Sequence, residues 1–199
     1  MVDVQMMAYA NEVLRFRRAL NLTSVDNLDD FLLRFIHPSV ALNQWIPSGG
    51  VLLDVGSGMG VPGIPLLISR PQVRGILVER RKKRAEFLKH VVRTLNLNAK
   101  VYGDDINALP SLGASICVAR AVTNVPSLLA MFSPHVVDGA IAVLPVPRSS
   151  SFVCDEGEIH GWKIVENGSV DAVENQRVEC YKFCSDHFVG VKGDVSRET

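Results

Sequence analysis

The chain has 199 residues, 47% of them hydrophobic, which is enough to bury one sizeable core with a small extension. Its formal net charge is +0 and its pI is near 7.0, so a polyanionic partner must be met by a local basic patch and not by a whole-molecule field. No stretch approaches the roughly 18 consecutive apolar residues of a membrane span, and Cys117, Cys154, Cys180 and Cys184 lack the paired spacing of a disulfide scaffold, so a cytoplasmic setting is expected.

Residues 4–20 predict a helix: Met7, Val13, Leu14 and Leu20 recur near helical spacing, and Arg15, Arg17 and Arg18 fall near its end, where cations suit the dipole. Asn21 to Ser24 is a polar break. A second helix, capped by Asp26 or Asn27, carries Phe31, Leu32, Leu33, Phe35 and Ile36 and is expected to stop at His37-Pro38. Residues 1–45 thus read as a helical extension and 46–199 as the main domain. From the turn at Ile46 to Gly50 onward, apolar runs alternate with helical patterns, the signature of a doubly wound α/β layer.

The first run, Val51 to Val55, ends in a glycine-rich stretch, Gly56-Ser57-Gly58-Met59-Gly60-Val61-Pro62-Gly63. A helix follows through Leu66, Leu67 and Ile68 to Pro71. Gly75 to Glu79 is a second strand, Lys82 to Leu95 an amphipathic helix, Lys100 to Tyr102 a third strand and Ser115 to Ala119 a fourth. Val125 to Phe132 is helical, Asp138-Gly139 is expected to turn, and Ala140 to Leu144 is a fifth strand. Pro145, Pro147 and the serines 149 to 151 read as a loop, and the tail from Gly190 as loose. The segments 162–165 and 178–183 alternate as two strands that can pair antiparallel at one edge.

Ligands of open α/β sheets lie where strands stop. There the chain offers Asp54 with the glycines, Glu79, Asp104 and Asp105, and Arg120. Glu79 follows Gly58 by 21 positions, where a carboxylate accepts hydrogen bonds from ribose hydroxyls. The run from Gly58 to Gly63 formally matches a dinucleotide fingerprint, a lone match that is weak by itself. Asp54 beside the loop would repel a pyrophosphate. A cationic ribonucleoside removes the objection, and S-adenosylmethionine is one, with its charge near the acids and its adenine near Asp104 or Asp105.

Asn21-Leu22-Thr23-Ser24-Val25, Asp54 to Leu66, Lys83-Arg84 followed by Phe87-Leu88, and Arg120-Ala121 together resemble the RsmG (GidB) family of bacterial 16S rRNA guanine-N7 methyltransferases, over roughly residues 10–145. The resemblance implies a Rossmann-like class I methyltransferase sheet with helices on both faces, an antiparallel strand pair at the C-terminal edge and a short N-terminal helical extension. It also implies S-adenosylmethionine as donor, small-subunit rRNA as partner and a monomer away from membranes. The implied cofactor contacts are Asp54, Gly56, Ser57, Gly58, Gly60, Pro62, Gly63, Glu79, Asp104, Asp105, Ile106 and Arg120. Arg120 and Asn21 are the implied catalytic positions. Arg80, Arg81, Lys82, Lys83 and Arg84, five consecutive cations at a helix start where they oppose the dipole, are expected to face RNA, together with Arg34.

The chain departs from the family pattern in carrying Arg34-Phe35 where Arg-His is usual, Pro38-Ser39 where Asp-Ser is usual, Asp104 where an arginine is usual, and Leu144-Pro145-Val146 where Leu-Lys-Gly is usual. These departures motivate an alternative, a catalytically degenerate fold that binds RNA or the ribosome. Two further readings are a nicotinamide-dependent oxidoreductase, from the glycine match, and a zinc site of Cys180, Cys184 and His187, which lacks a fourth ligand.

Overall fold

The computed structural model describes residues 4–120, 123–147, 158–168 and 176–185. Four apolar runs form the parallel strands β1 (Gly50–Val55), β2 (Val73–Val78), β3 (Ala99–Tyr102) and β4 (Ala114–Val118), joined on one side by β5 (Val136–Pro147). β6 (Glu158–Ile159), β7 (Trp162–Gly168) and β8 (Gln176–Phe183) complete a sheet of order β3-β2-β1-β4-β5-β8-β7-β6 among the described residues. β8 pairs antiparallel with both β5 and β7, so the expected pair at the edge is present and carries the short β6 beyond it.

Successive strand residues serve opposite faces, as the pleat requires. Leu52, Leu77 and Ile116 join α1 (Val4–Phe16), α4 (Gly63–Ser69) and α5 (Lys82–Thr94) in one core cluster. Leu53, Ile76 and Cys117 join α6 (Val125–Phe132) in the other. α4 and α5 follow β1 and β2, whereas α6 follows β4 and covers the opposite face, so the winding reverses between β1 and β4. That reversal opens a crevice at the strands' carboxyl ends.

Four expected boundaries differ. The first helix, expected to reach residue 20, is α-helical to Phe16; residues 17–20 go on as a turn in which the Leu20 N–H still reaches the Phe16 carbonyl at 3.1 Å, and Asn21 (φ 50) ends it with the Leu22 N–H on the Arg17 carbonyl at 2.9 Å, a Schellman-type closure that asparagine tolerates. The second helix does not stop at Pro38: α2 (Leu28–Phe31) continues through a π-helical turn (Leu32–Ile36) into α3 (His37–Ala41) and a 3-10 turn (Leu42–Trp45). The proline is accommodated where the π-helical turn hands over to α3: the His37 N–H reaches back to the Leu32 carbonyl, and the Ser39 hydroxyl donates to the Phe35 carbonyl at 2.6 Å. Pro145 and Pro147 belong to β5, not to a loop. β4 pairs with β5 only as far as Val143, so prolines of one parity beyond that point lose no ladder bond.

Asp138-Gly139 likewise lies within β5 instead of a turn before it: Ala114 opposes Val136 whereas Ile116 opposes Ile141, and Gly139 (φ 75) absorbs the extra residues as a bulge. His187, the serines 149 to 151 and the tail from Gly190 lie outside the described residues.

Candidate functional site

The loop after β1 is held in place by its own amides. Gly56 and Ser57 donate their N–H groups to the Val78 carbonyl at 2.8 and 3.1 Å, tying the loop to the end of β2. Gly58 donates to Glu79 Oε2 at 2.9 Å, while Glu79 Oε1 accepts from the Arg81 N–H at 2.8 Å. Gly60 donates to the Ser57 carbonyl at 2.6 Å, and Gly63, which opens α4, donates to Asp54 Oδ2 at 3.2 Å. Gly58 and Gly60 have φ values of 59 and 107, a region that side chains disfavour. From the other end of the chain, the buried Tyr9 hydroxyl donates to the Met59 carbonyl at 3.0 Å.

Beside this loop lies a cavity of about 680 Å³ at the switch between β1 and β4. Gly56, Ser57, Gly58, Glu79, Asp104, Asp105, Ile106 and Arg120 line it, as do Arg80, Arg81 and Arg84. The expected cofactor contacts Asp54, Gly60, Pro62 and Gly63 are not among its walls. They lie beneath the loop and shape it. Asp54 is completely buried, and desolvation pushes its carboxyl up to about 7 despite the Gly63 N–H and the Ser57 hydroxyl beside it. Its Oδ1 has no hydrogen-bond partner. Asn21 is exposed and away from the walls; its carbonyl accepts from Arg84 Nη2. Asp105 accepts from the Asn107 N–H at 2.9 Å, capping a 3-10 turn (Ile106–Ala108), and still faces the cavity.

Arg120 stands where β4 stops. Its guanidinium lies 4.8 Å over the Phe35 ring, and Nη2 donates to the Arg34 carbonyl at 3.5 Å. Pro38 has no N–H to offer that carbonyl four residues back. Burial first, and then the nearby Arg34, lower the Arg120 pKa from its ordinary value. Arg34 is exposed, and neither it, Lys82 nor Lys83 lines the cavity; the two lysines are exposed on the first turn of α5.

Sequence reasoning did not single out Leu22, Met59, Val78, Asn107 or Met131, which form much of the remaining wall. Val78 was findable as the last residue before Glu79. Leu22 and Met59 lie within the quoted motifs without being named as contacts, and no local pattern marks Asn107 or Met131.

The donor set decides which ligand chemistry fits. Gly56, Gly58, Gly60 and Gly63 all spend their N–H groups inside the protein, two of them on carboxylates, so the loop has no cradle of glycine amides to offer a pyrophosphate. Each Glu79 oxygen accepts one bond and retains capacity for another. A lining that combines the acids Glu79, Asp104 and Asp105, the apolar Val55, Val78 and Ile106, and the exposed cations Arg80 and Arg81 suits a cationic ribonucleoside with a polyanion beside it. Cys180 is buried, and no group of three or more metal-binding side chains occurs among the described residues.

Residues 3–145 match the model of the GidB family, rRNA small subunit methyltransferase G. The ribosomal RNA small subunit methyltransferase G of Rhodopirellula baltica is 36% identical over 137 residues, covering 67% of this chain and 58% of that protein. The protein of the same name from Cereibacter sphaeroides is 34% identical over 136 residues, covering 66% of each. The chain therefore spans less than two thirds of the length of these relatives. Among solved structures, yhhF from Escherichia coli superposes with a TM-score of 0.62 at 14% identity, covering 75% of this chain and 86% of that one. MtNAS in complex with S-adenosylmethionine gives 0.62 at 16%, covering 89% and 73%. The fold they share with this chain is a Rossmann-like α/β sheet, here with antiparallel strands at the C-terminal edge.

Proposed function

Because the chain belongs to the GidB family of rRNA small subunit methyltransferases, we propose that it methylates N7 of a guanine in 16S rRNA of the small ribosomal subunit, with S-adenosylmethionine as methyl donor, as a cytoplasmic monomer. In this reading residues 46–199 are the methyltransferase unit and residues 1–45 its helical extension. The observation that carries the donor is the disposition of Glu79: it clamps the glycine loop through Gly58 and Arg81 and still lines the cavity, where its remaining lone pairs suit ribose hydroxyls.

When bound, S-adenosylmethionine supplies an electrophilic methyl group. Glu79 would hold its ribose, and Asp104, Asp105 and Ile106 would flank its adenine. Guanine N7 has an in-plane lone pair and no proton, so its methylation asks for no general base. What the chain must supply is alignment and exclusion of water, effects worth about 7–11 kcal/mol of a barrier. Arg120 would orient the base or a neighbouring phosphate, held by the Phe35 ring and the Arg34 carbonyl. Asn21 would act one step removed, its carbonyl steadying Arg84 at the cavity mouth.

Incubation with methyl-labelled S-adenosylmethionine and small-subunit RNA or particles, followed by mapping of the modified base, tests the reading. Label at a guanine N7 is expected. Binding to the RNA without incorporation would replace the enzyme with the RNA-binding module.

A further inference from the structure

We propose that the groove between the end of α1 and the second turn of α5 is a subsite for an unstacked base of single-stranded RNA, an inference that rests on the RNA substrate proposed above. The groove has a volume of about 370 Å³; Phe16, Leu20 and Phe87 form its apolar walls, and Lys83, Glu86 and His90 its rim. The Phe16 ring meets the Phe87 ring at 5.8 Å and the His90 ring at 5.7 Å, both edge-on, so three rings cluster at the groove. His90 is tethered to Glu12 at 2.6 Å. The Arg15 guanidinium lies 5.2 Å over the Phe16 ring, placing a cation against an aromatic surface. That combination suits nucleic acid, since a base uses the ring and its phosphate uses the charge.

Charge complementarity identifies the occupant. Arg15 and Arg18 on one side and Arg80, Arg81, Lys82 and Lys83 on the other are exposed. The groove's own acids are matched: Glu12 meets His90 and lies 3.6 Å from Arg15, and Glu86 meets Lys89 at 2.8 Å. The groove neighbours the candidate active site along α5: Arg81 and Arg84 line the large cavity while Lys83 and Phe87 line the groove. Arg81 and Phe87 are separated by roughly 9 Å along the helix axis, a distance that one or two nucleotides span. A strand with its reactive base in the cavity would therefore lay a neighbouring base against Phe16.

Fluorescence anisotropy at fixed salt, with a short single-stranded RNA and the same sequence annealed as a duplex, tests this. Phe16→Leu keeps an apolar side chain against Phe87 and is expected to weaken single-strand binding about tenfold, within the range of base–aromatic stacking, while leaving duplex binding unchanged. Phe16→Trp is expected to retain binding, with the introduced indole quenched by the single strand. Equal single-strand affinity of Phe16→Leu and wild type, or quenching by an amphipathic peptide and not by RNA, would overturn the assignment. No S-adenosylmethionine is present, so a chain that fails to bind the donor would defeat the proposed enzyme and leave this measurement standing.

Discussion

Asp54 has one oxygen on the Gly63 N–H and the other buried without a partner. A carboxyl held so prefers its proton: burial raises its pKa from the ordinary 3.8 to about 7. A folded-state pKa above the unfolded one stabilises the fold fully below the ordinary carboxyl range, and that contribution is lost as pH rises through about 7, at up to about 1.4 kcal/mol per unit. Stability from this group therefore declines across the interval and is flat above it. Asp54→Asn keeps an oxygen for Gly63 and cannot ionise. Denaturant midpoints at about pH 5 and about pH 8 should differ less in this variant than in wild type. An equal change in midpoint between the two pH values in Asp54→Asn and wild type would show that folding does not raise this carboxyl's pKa into that interval.

Among the elements, α4 depends on a position where no side chain fits. A Cβ on Gly63 would lie 2.5 Å from Asp54 Oδ2 and 2.9 Å from Leu77 Cδ2, so Gly63→Ala should cost about 1–3 kcal/mol as overpacking, read from chemical denaturation. β1 to β4 and the helices after them are legible in the sequence because continuous apolar runs and helical spacing are local signals. The cavity residues Gly56, Gly58, Glu79, Asp104 and Arg120 are legible for a related reason, since each sits where a strand stops. Other features depend on partners distant in sequence. The passage of a helix through Pro38, the bulge at Gly139 and the prolines of β5 follow from which strand or side chain lies alongside. The same holds for Asp54: its place at the end of β1 is readable, but the folding of Gly63 back over its carboxylate is a tertiary event. Tyr9, 50 positions from the carbonyl it holds, is invisible to any local pattern.

For the whole molecule, a formal net charge of +0 means that the RNA partner proposed above would have to be attracted by the exposed run Arg80 to Lys83 and its neighbours. Replacing Arg80, Arg81 and Lys82 together with glutamine should reduce the slope of log affinity against log salt by about 2 for single-stranded RNA. An unchanged slope would remove these residues from the interface. Glu79 joins the two ends of the molecule's behaviour. Because the same carboxylate braces the loop and faces the cavity, Glu79→Gln would exchange one acceptor for a donor opposite a backbone N–H. In a living cell such an allele would show itself first as a shortage of protein, since a loss of about 1–2 kcal/mol alters steady-state abundance several-fold. A growth phenotype at this codon would therefore need to be divided by the amount of protein present before it says anything about methyl transfer.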